Sequence, residues 1–471
     1  MRLKLDVLNE EQIEKIYAAA LEVMDRTGSV LGDSYCVELL RKAGARVKDS
    51  RRVYIPPKLV EQAIESAPAT VTMYDRLGNV AMELGTQKSY FGAHVNCRQV
   101  IDPHTGKTRD MTLDDLEKTT RVVDALPNMD FITIVDTIAG VRGEYADVAV
   151  FSVAIKNTSK PFGFDILSLE TGKMIYEIAA AAVGGPDELR ARPFICVGDS
   201  PIDPLFHPEE PLEKIVFSAK QGIPVLYNPM PQGGLTAPTT TAGVLVVTLA
   251  ELLVGLVITQ LVTPGSPFIC GGVPSIFDMR DTSFVYGSPE LFLMASGLAD
   301  IQHYLNLPSF GTAGMTNSKN VDLQAATDAS LSVLMSVLSR CNWVHDVGLV
   351  DIGVVNSLPM IVLTDEIVEM ARHIEKGIEV TSETLALDVI DQVGPQGNYM
   401  TEEHTLKHFR DCWYPRVFDH KLGRDGSSQD QIHERIHQFI DERLNEHRPA
   451  ELPAAALELI ELYAETWMLK A

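Results

Sequence analysis

The stretch FGTAGMTNSKNVDLQAATDAS, Phe310 to Ser330, sets a glycine-rich turn and then Thr, Asn, Ser and Lys between an apolar run and a helical pattern. Loops that crowd small polar groups at such a place hold something. Thr312 and Asn317 are its candidate substrate contacts, with Phe310 at its start. Other short runs end in side chains that could do chemistry. YFGAHV offers Phe91 and His94, PFGFDIL offers Phe162, Phe164 and Asp165, IPVLYNP offers Tyr227 and Asn228, and VHD offers His345 and Asp346. Aromatic faces beside carboxylates suit a ligand carrying a protonated or quaternary ammonium. The glycine turns GGVPS and GTAGM could instead form a phosphate cradle from backbone amides. Lys319 and Arg280 are the only cations the pattern sets close by. The rings could equally be core fillers, so both chemistries stay open at this point.

Other chemistries find less support. His404 and His408 stand four residues apart in HTLKHF, with His420 beyond. The spacing permits a zinc pair, but no Cys or Glu cluster accompanies it, and no bound metal is expected. Neither a GxSxG nucleophile elbow nor a Walker loop occurs, which argues against triad hydrolysis and NTP hydrolysis.

A formal net charge of −24 leaves no basic stripe to neutralise phosphates, so nucleic acid and anionic membranes are excluded as expected partners. Hydrophobic content of 45% and charged content of 22% describe an ordinary globular chain. The N-terminus has no apolar signal core, and a cytoplasmic protein is expected. The longest apolar stretch, Ala242 to Val262, carries Glu251 at its middle. A buried helix is expected there rather than a membrane span. The six cysteines are scattered and form no CxxC, as reduced, mostly buried thiols would be.

These candidates need elements to position them. Residues 1–88 read as a cap: three amphipathic helices (NEEQIEKIYAAALEVMDRTG, SYCVELLRKAG, PPKLVEQAIESAP) and a hairpin around Leu77-Gly78-Asn79. From residue 89 to 390, eight short apolar runs alternate with helical segments. They begin near Tyr90, Phe131, Pro161, Pro193, Ile223, Pro267, Pro308 and Val344. Continuous apolar strands between helices mean a parallel sheet covered by helices. Eight such units fit a (β/α)8 TIM barrel, in the α/β class, better than an open doubly wound sheet, and no GxGxxG follows the first strand. The site of such a barrel lies at the C-terminal ends of its strands. Residues 391–471 read as a C-terminal helical extension packed on the barrel.

With the motifs assembled, a resemblance emerges. TLAELLVGLVITQLVTPGSPFICGG, GSPELFLMASGLADIQHYLNLPSFGTAGMTNSKNVDLQAA and IEVTSETLALDVIDQVGPQGNYMTEEHTLKHFRDCWYPRVFD together resemble the trimethylamine methyltransferase family. The likeness runs from residue 10 to about residue 445. It implies a barrel enzyme that passes a methyl group from a methylated amine to the cobalt of a separate corrinoid (cobalamin) protein, with no cofactor bound by this chain. Founding members carry pyrrolysine in or near the loop matching Gly311–Lys319, where this chain has only standard residues. It therefore resembles the branch that demethylates quaternary amines such as glycine betaine, proline betaine and carnitine. A quaternary nitrogen leaves as a neutral amine and needs no general acid, so such a site has mainly to hold, desolvate and aim its substrate. No catalytic residue is then required, with His345 the candidate if there is one. A homo-oligomer is expected. A neutral methylamine, a phosphorylated substrate for a lyase or aldolase, and a non-catalytic betaine binder remain alternatives.

Overall fold

The computed structural model describes residues 3–103, 105–420 and 431–468. Each of the eight apolar runs forms one strand of a closed parallel barrel. The strands are β1 (Tyr90–His94), β2 (Phe131–Ile134), β3 (Phe162–Asp165), β4 (Ile195–Asp199), β5 (Val225–Tyr227), β6 (Phe268–Gly271), β7 (Ser309–Thr312) and β8 (Trp343–Val347). They pair in chain order, and β8 returns to β1. The helices between them are α1 (Leu113–Ala125), α2 (Ala146–Asn157), α3 (Leu169–Val183), α4 (Glu209–Gln221), α5 (Thr241–Val262), α6 (Pro289–Tyr304), α7 (Leu323–Leu338) and α8 (Leu358–Glu375). Strands such as β2 and β6 are buried at every position, which is why they read as unbroken apolar runs.

Period-two alternation sorts each strand into a lumen-facing set and a helix-facing set. The interior cluster joins Phe131, Cys196, Leu226, Ile269, Phe310 and Trp343. Gly163 belongs to the same face: a Cβ there would sit 2.6 Å from the Trp343 ring. The hairpin Val71–Tyr74/Val80–Leu84 supplies Val71, Met73, Met82 and Leu84 to this cluster, so it seals the barrel at the N-terminal ends of the strands.

The three cap helices form as expected, over Glu10–Glu22, Ser34–Ala43 and Pro57–Ser66. Asn9 and Gln12 make a reciprocal capping box at the first. Unexpected is a small sheet of Ser29–Leu31, Arg46–Lys48 and Arg52–Tyr54, to which Phe206–His207 of the loop after β4 adds in parallel. Strands of two or three residues are too short to show a period. By length and composition α5 could cross a membrane, yet it runs between the cap and the barrel with most of its residues buried. Its central Glu251 is fully buried, accepts the Leu205 N–H, and has its pKa pushed up to about 10 by burial and by the neighbouring Asp203 carboxyl.

After α8 the chain departs from the expected packing. Residues 378–415 form the short helices Ser382–Leu385, Leu387–Val393 and Glu403–His408, none with a buried residue. Helices of that length present no continuous apolar face to the barrel. The chain is caught again at Arg416, whose guanidinium lies 2.7 Å from Asp365 and 2.8 Å from Glu369 of α8. The closing helices Gln431–Glu446 and Ala454–Trp467 then pack on the barrel's flank.

Candidate active site

The last strand carries the irregularity on which the site is built. Its pairing with β1 slips between Val344 and Val347, and Asp346 takes a left-handed φ of +77°. A regular strand would send His345 and Asp346 to opposite faces. The bulge lets both side chains turn into the barrel mouth. Asp346 Oδ1 then lies 2.9 Å from His345 Nδ1 and 3.0 Å from His94 Nε2 of β1. The Thr312 hydroxyl, at the end of β7, donates to the other carboxylate oxygen. Burial opposes ionisation of Asp346, but the His345 and His94 rings hold its carboxyl well below the usual carboxylate range. The carboxylate therefore fixes both imidazoles and sets their tautomers. His345 Nε2 and His94 Nδ1 are left without a partner among the described residues.

The opposite wall is acidic. Asp165, at the end of β3, lies against Gly198, where a Cβ would come within 2.5 Å of its Oδ1. Burial, and next the Asp199 carboxylate, push Asp165 up to about 7. Asp199 is itself raised by burial, with Lys214 Nζ 3.1 Å away. Between the two walls lies a narrow cavity, with about 40 Å³ of room, lined by Thr133, Asp165, Asn228, Phe310, Trp343 and His345 among others. The Phe310 ring stands 4.5 Å from the His345 ring, and Trp343 stands 4.1 Å from Phe131, centroid to centroid. Among the described residues, no Lys or Arg lines this cavity. Lys319 is paired with Asp351 and Arg280 with Asp278, each at 3.0 Å. A phosphate would find no counter-charge here. A larger cleft, of about 310 Å³, is lined by Lys88, Asp130 and Arg372, but it lies at the strand starts, away from these groups.

Of the candidates read from the sequence, the structure brings His94, Asp165, Asn228, Phe310, Thr312, His345 and Asp346 to this mouth. Others are corrected. Phe162 and Phe164 alternate with Gly163 and Asp165 and pack outward on Phe151 of α2, 5.1 and 5.6 Å between ring centroids, although Phe164 also borders the cavity. Tyr227 faces α5 against Gly255, and its hydroxyl meets His207 Nδ1 at 2.8 Å. Phe91 lies in the outer core, under the Arg372 guanidinium. The error is one of parity: a one-residue shift moves a whole strand's side chains to the other face. Asn317 is a tie, not a ligand contact. Its Oδ1 accepts the Tyr286 and Gly287 N–H groups at 2.7 Å, and its Nδ2 donates to the Phe284 carbonyl. The rest of the polar loop is likewise spoken for. Thr316 donates to Asp328, Ser318 donates to Asp322, and the Ala313 and Gly314 amides bond to the His345 carbonyl and the Ser332 hydroxyl.

Sequence reasoning missed Trp343, Thr133, Cys196 and Leu226, all of which line the cavity. Counting back two residues from His345 and from Asn228 would have found Trp343 and Leu226. It also expected no metal-capable cluster. His94, His345 and Asp346 do offer three ligand atoms within 4.8 Å of one another, a number that a catalytic zinc uses, though here these groups are engaged with each other. The reading that the chain holds no H-E-x-x-H is also corrected: HERIH, His433 to His437, has that spacing, on a closing helix whose Ile436 packs into the outer core.

The family description "Trimethylamine methyltransferase (MTTB)" matches residues 2–467. The trimethylamine methyltransferase MttB of Desulfitobacterium hafniense is 32% identical over 415 residues, covering 88% of this chain and 84% of its own. The glycine betaine methyltransferase of a second strain of that species, Y51, is 29% identical over 425 residues, covering 88% and 87%. Among solved structures, the monomethylamine methyltransferase MtmB of Methanosarcina barkeri superposes with a TM-score of 0.53 at 12% identity, over 98% of this chain and 88% of that one, a likeness of fold. With only standard residues in the Gly311–Lys319 loop, the chain belongs to the trimethylamine methyltransferase family, in the branch without pyrrolysine, and is a methyltransferase.

Proposed function

We propose that this enzyme takes a methyl group from a quaternary amine of the betaine type and delivers it to the cobalt of a cognate corrinoid protein. One observation carries the reading: the cavity sets an ionisable carboxylate, Asp165, among the rings of Trp343 and Phe310, with no Lys or Arg among the described residues that line it. That combination attracts a cation twice, through the carboxylate and through the ring faces. A docked corrinoid would supply a strong nucleophile for the methyl carbon. The carbon–nitrogen bond breaks with its electron pair kept on nitrogen, so a neutral tertiary amine leaves and no side chain has to give it a proton.

The residues then have three tasks. Asp165, ionised, faces the ammonium charge. His345 Nε2 and the Asn228 amide oxygen have no protein partner among the described residues; with the His345 Nδ1–H given to Asp346 both are acceptors, so they meet the substrate's carboxylate through bound water that donates to both sides. Asp346 holds the two imidazoles so that these positions do not drift. About 40 Å³ of room suits little more than one water, at roughly 30 Å³ each. A trimethylammonium head therefore needs lining side chains to move apart on entry.

A neutral methylamine is the second reading, favoured by the relative named for trimethylamine. It would have to leave as an amide anion and so needs an acid. The test is transfer to cob(I)alamin or a corrinoid protein across a panel of glycine betaine, proline betaine, carnitine, trimethylamine and dimethylamine. A methyl-cobalt signal from at least one quaternary amine and none from trimethylamine is expected. A signal from trimethylamine alone overturns the reading.

A further inference from the structure

We propose that His94, His345 and Asp346 hold a divalent metal ion, with Zn²⁺ the best fit, in the wall of the mouth that faces Asp165. All three side chains are buried, and each offers one ligand atom within 4.8 Å of the other two. Asp346 Oδ1 lies 2.9 Å from His345 Nδ1 and 3.0 Å from His94 Nε2. A shared ion imposes such spacings, because bonds of about 2.0–2.2 Å set at right angles put two donors roughly 3 Å apart. Two imidazoles and one carboxylate on one side of an ion leave its remaining positions open. The other Asp346 oxygen takes the Thr312 hydroxyl, as the free oxygen of a ligating carboxylate commonly takes a supporting hydrogen bond. His345 and Asp346 reach one place only through the β8 bulge, with Asp346 at a φ of +77°. Strain of that kind collects at sites that use it.

The ion changes what the rings offer a ligand. Metal-free, His345 gives its Nδ1 proton to Asp346 and presents a bare Nε2, which reaches a carboxylate only through water. With Nδ1 on the ion, the proton sits on Nε2, and that nitrogen becomes a donor. His94 makes the converse shift, from Nε2 to Nδ1. Both receiving nitrogens are without a protein partner among the described residues. Each neutral ring keeps one proton, so only the ion's charge is added, and the cluster passes from one net negative charge to one net positive charge. That supplies what the cavity lacks. No Lys or Arg among the described residues lines it, so the carboxylate of a betaine has no counter-charge there. A metal ion on one wall and Asp165 on the other would match the two ends of a zwitterion. Only this role toward the carboxylate rests on the function proposed above; the ligand set does not.

The experiment strips the full chain with a chelator and titrates it with Zn²⁺ and, for its visible bands, Co²⁺. One ion per chain is expected. His94→Gln and Asp346→Asn should each weaken Zn²⁺ binding at least about 100-fold, beyond what loss of a supporting partner costs. Thr312→Val removes only such a partner, keeps the side chain's shape, and should weaken binding about 10-fold; it carries the test if a ligand variant fails to fold by circular dichroism. A chain with His404→Gln, His408→Gln, His433→Gln and His437→Gln lacks the spaced histidine pairs of the tail and should bind as the parent does. A parent that takes up no Zn²⁺ at micromolar concentration overturns the proposal. So does binding that is lost with the tail histidines, or that is unchanged in His94→Gln and Thr312→Val. Glycine betaine should shift the Co²⁺ bands, and tetramethylammonium, which has no carboxylate, should not. Bands indifferent to glycine betaine overturn the role toward the carboxylate and leave the metal site standing, so the two failures are distinguishable.

Discussion

Asp165→Asn should make the protein more stable and less able to bind its substrate. The carboxyl is displaced from its usual 3.8 to about 7, chiefly by burial and then by Asp199. At about 1.4 kcal/mol per pH unit, that corresponds to at most roughly 4 kcal/mol of folding free energy. The side chain opens onto the cavity, and about 2 kcal/mol is the more realistic share. The sign follows from the direction: the native state holds the proton more tightly than the unfolded chain. The favourable contribution is complete below about pH 4 and is lost as pH rises towards 7. At pH 8 the wild type carries the full cost of a buried carboxylate, and the amide does not. With roughly 1 °C per kcal/mol for a chain of this size, the variant should melt about 2 °C higher at pH 8 and equally at pH 4. Ligand affinity should move the other way. An ammonium about 5 Å from the carboxylate gains up to about 3 kcal/mol at an effective dielectric of 20, so calorimetry should show betaine binding weakened about 10- to 100-fold at pH 8. Wild-type affinity should climb with pH to about 7 and then level, while the variant's stays flat. Unchanged affinity at pH 8, together with no gain in melting temperature, would refute the claim that Asp165 is an ionised group facing the cation.

Phe310→Leu should weaken binding of a quaternary ammonium by roughly 0.5–2 kcal/mol and barely affect a neutral carbon isostere, as measured by competition. Phe162→Ala should cost about 3–5 kcal/mol of stability by denaturant unfolding while the ratio of charged to neutral ligand affinities stays put. Asp346→Ala removes the partner of two buried imidazoles, and a loss of about 3–5 kcal/mol in stability with collapse of turnover is expected. His345→Asn should lower affinity more than turnover, and His345→Ala should lower affinity further, by roughly 1–3 kcal/mol if a buried acceptor is stranded. Abolished turnover with affinity intact in His345→Asn would make His345 an acid and favour the neutral amine.

The barrel was legible because its strands are buried on both faces while helices such as α1 keep a polar face, so the chain alternates visibly between unbroken apolar runs such as FITIV and amphipathic segments such as LDDLEKTTRVVDAL; α2 and α5, buried along most of their length, are the exceptions. The same property hid the site. Where every position of a strand is apolar or small, nothing in the pattern says which parity faces the lumen, and Phe162 and Phe164 are no less apolar than Trp343. Polar strand ends broke that symmetry where they existed. Asp165, Asn228 and His345 were named because they stand at strand ends, and they open onto the cavity, where a polar group is not pressed against a helix layer. The small sheet of the cap and the short helices after α8 were hidden for a different reason, since elements of two to seven residues carry too few positions to show a period.

The bulge in β8 explains why the polar loop after β7 exists. Two consecutive residues, His345 and Asp346, must point into the same mouth, which forces Asp346 into the left-handed region at a cost of about 1–3 kcal/mol. Such a conformation persists only where its surroundings fix it. Thr312 donates to the Asp346 carboxylate, and the Ala313 amide takes the His345 carbonyl. The Gly348 amide reaches back to the carbonyl of Gly314, whose φ of +77° a side chain would strain against Val347 and Thr364. Thr316, Ser318 and Asn317 then anchor the loop itself to Asp328, Asp322 and the chain after β6. The small polar groups therefore hold the bulge, not the substrate. On the function proposed, specificity for the amine would rest with the rings and Asp165, and the loop would contribute rigidity at the two imidazoles.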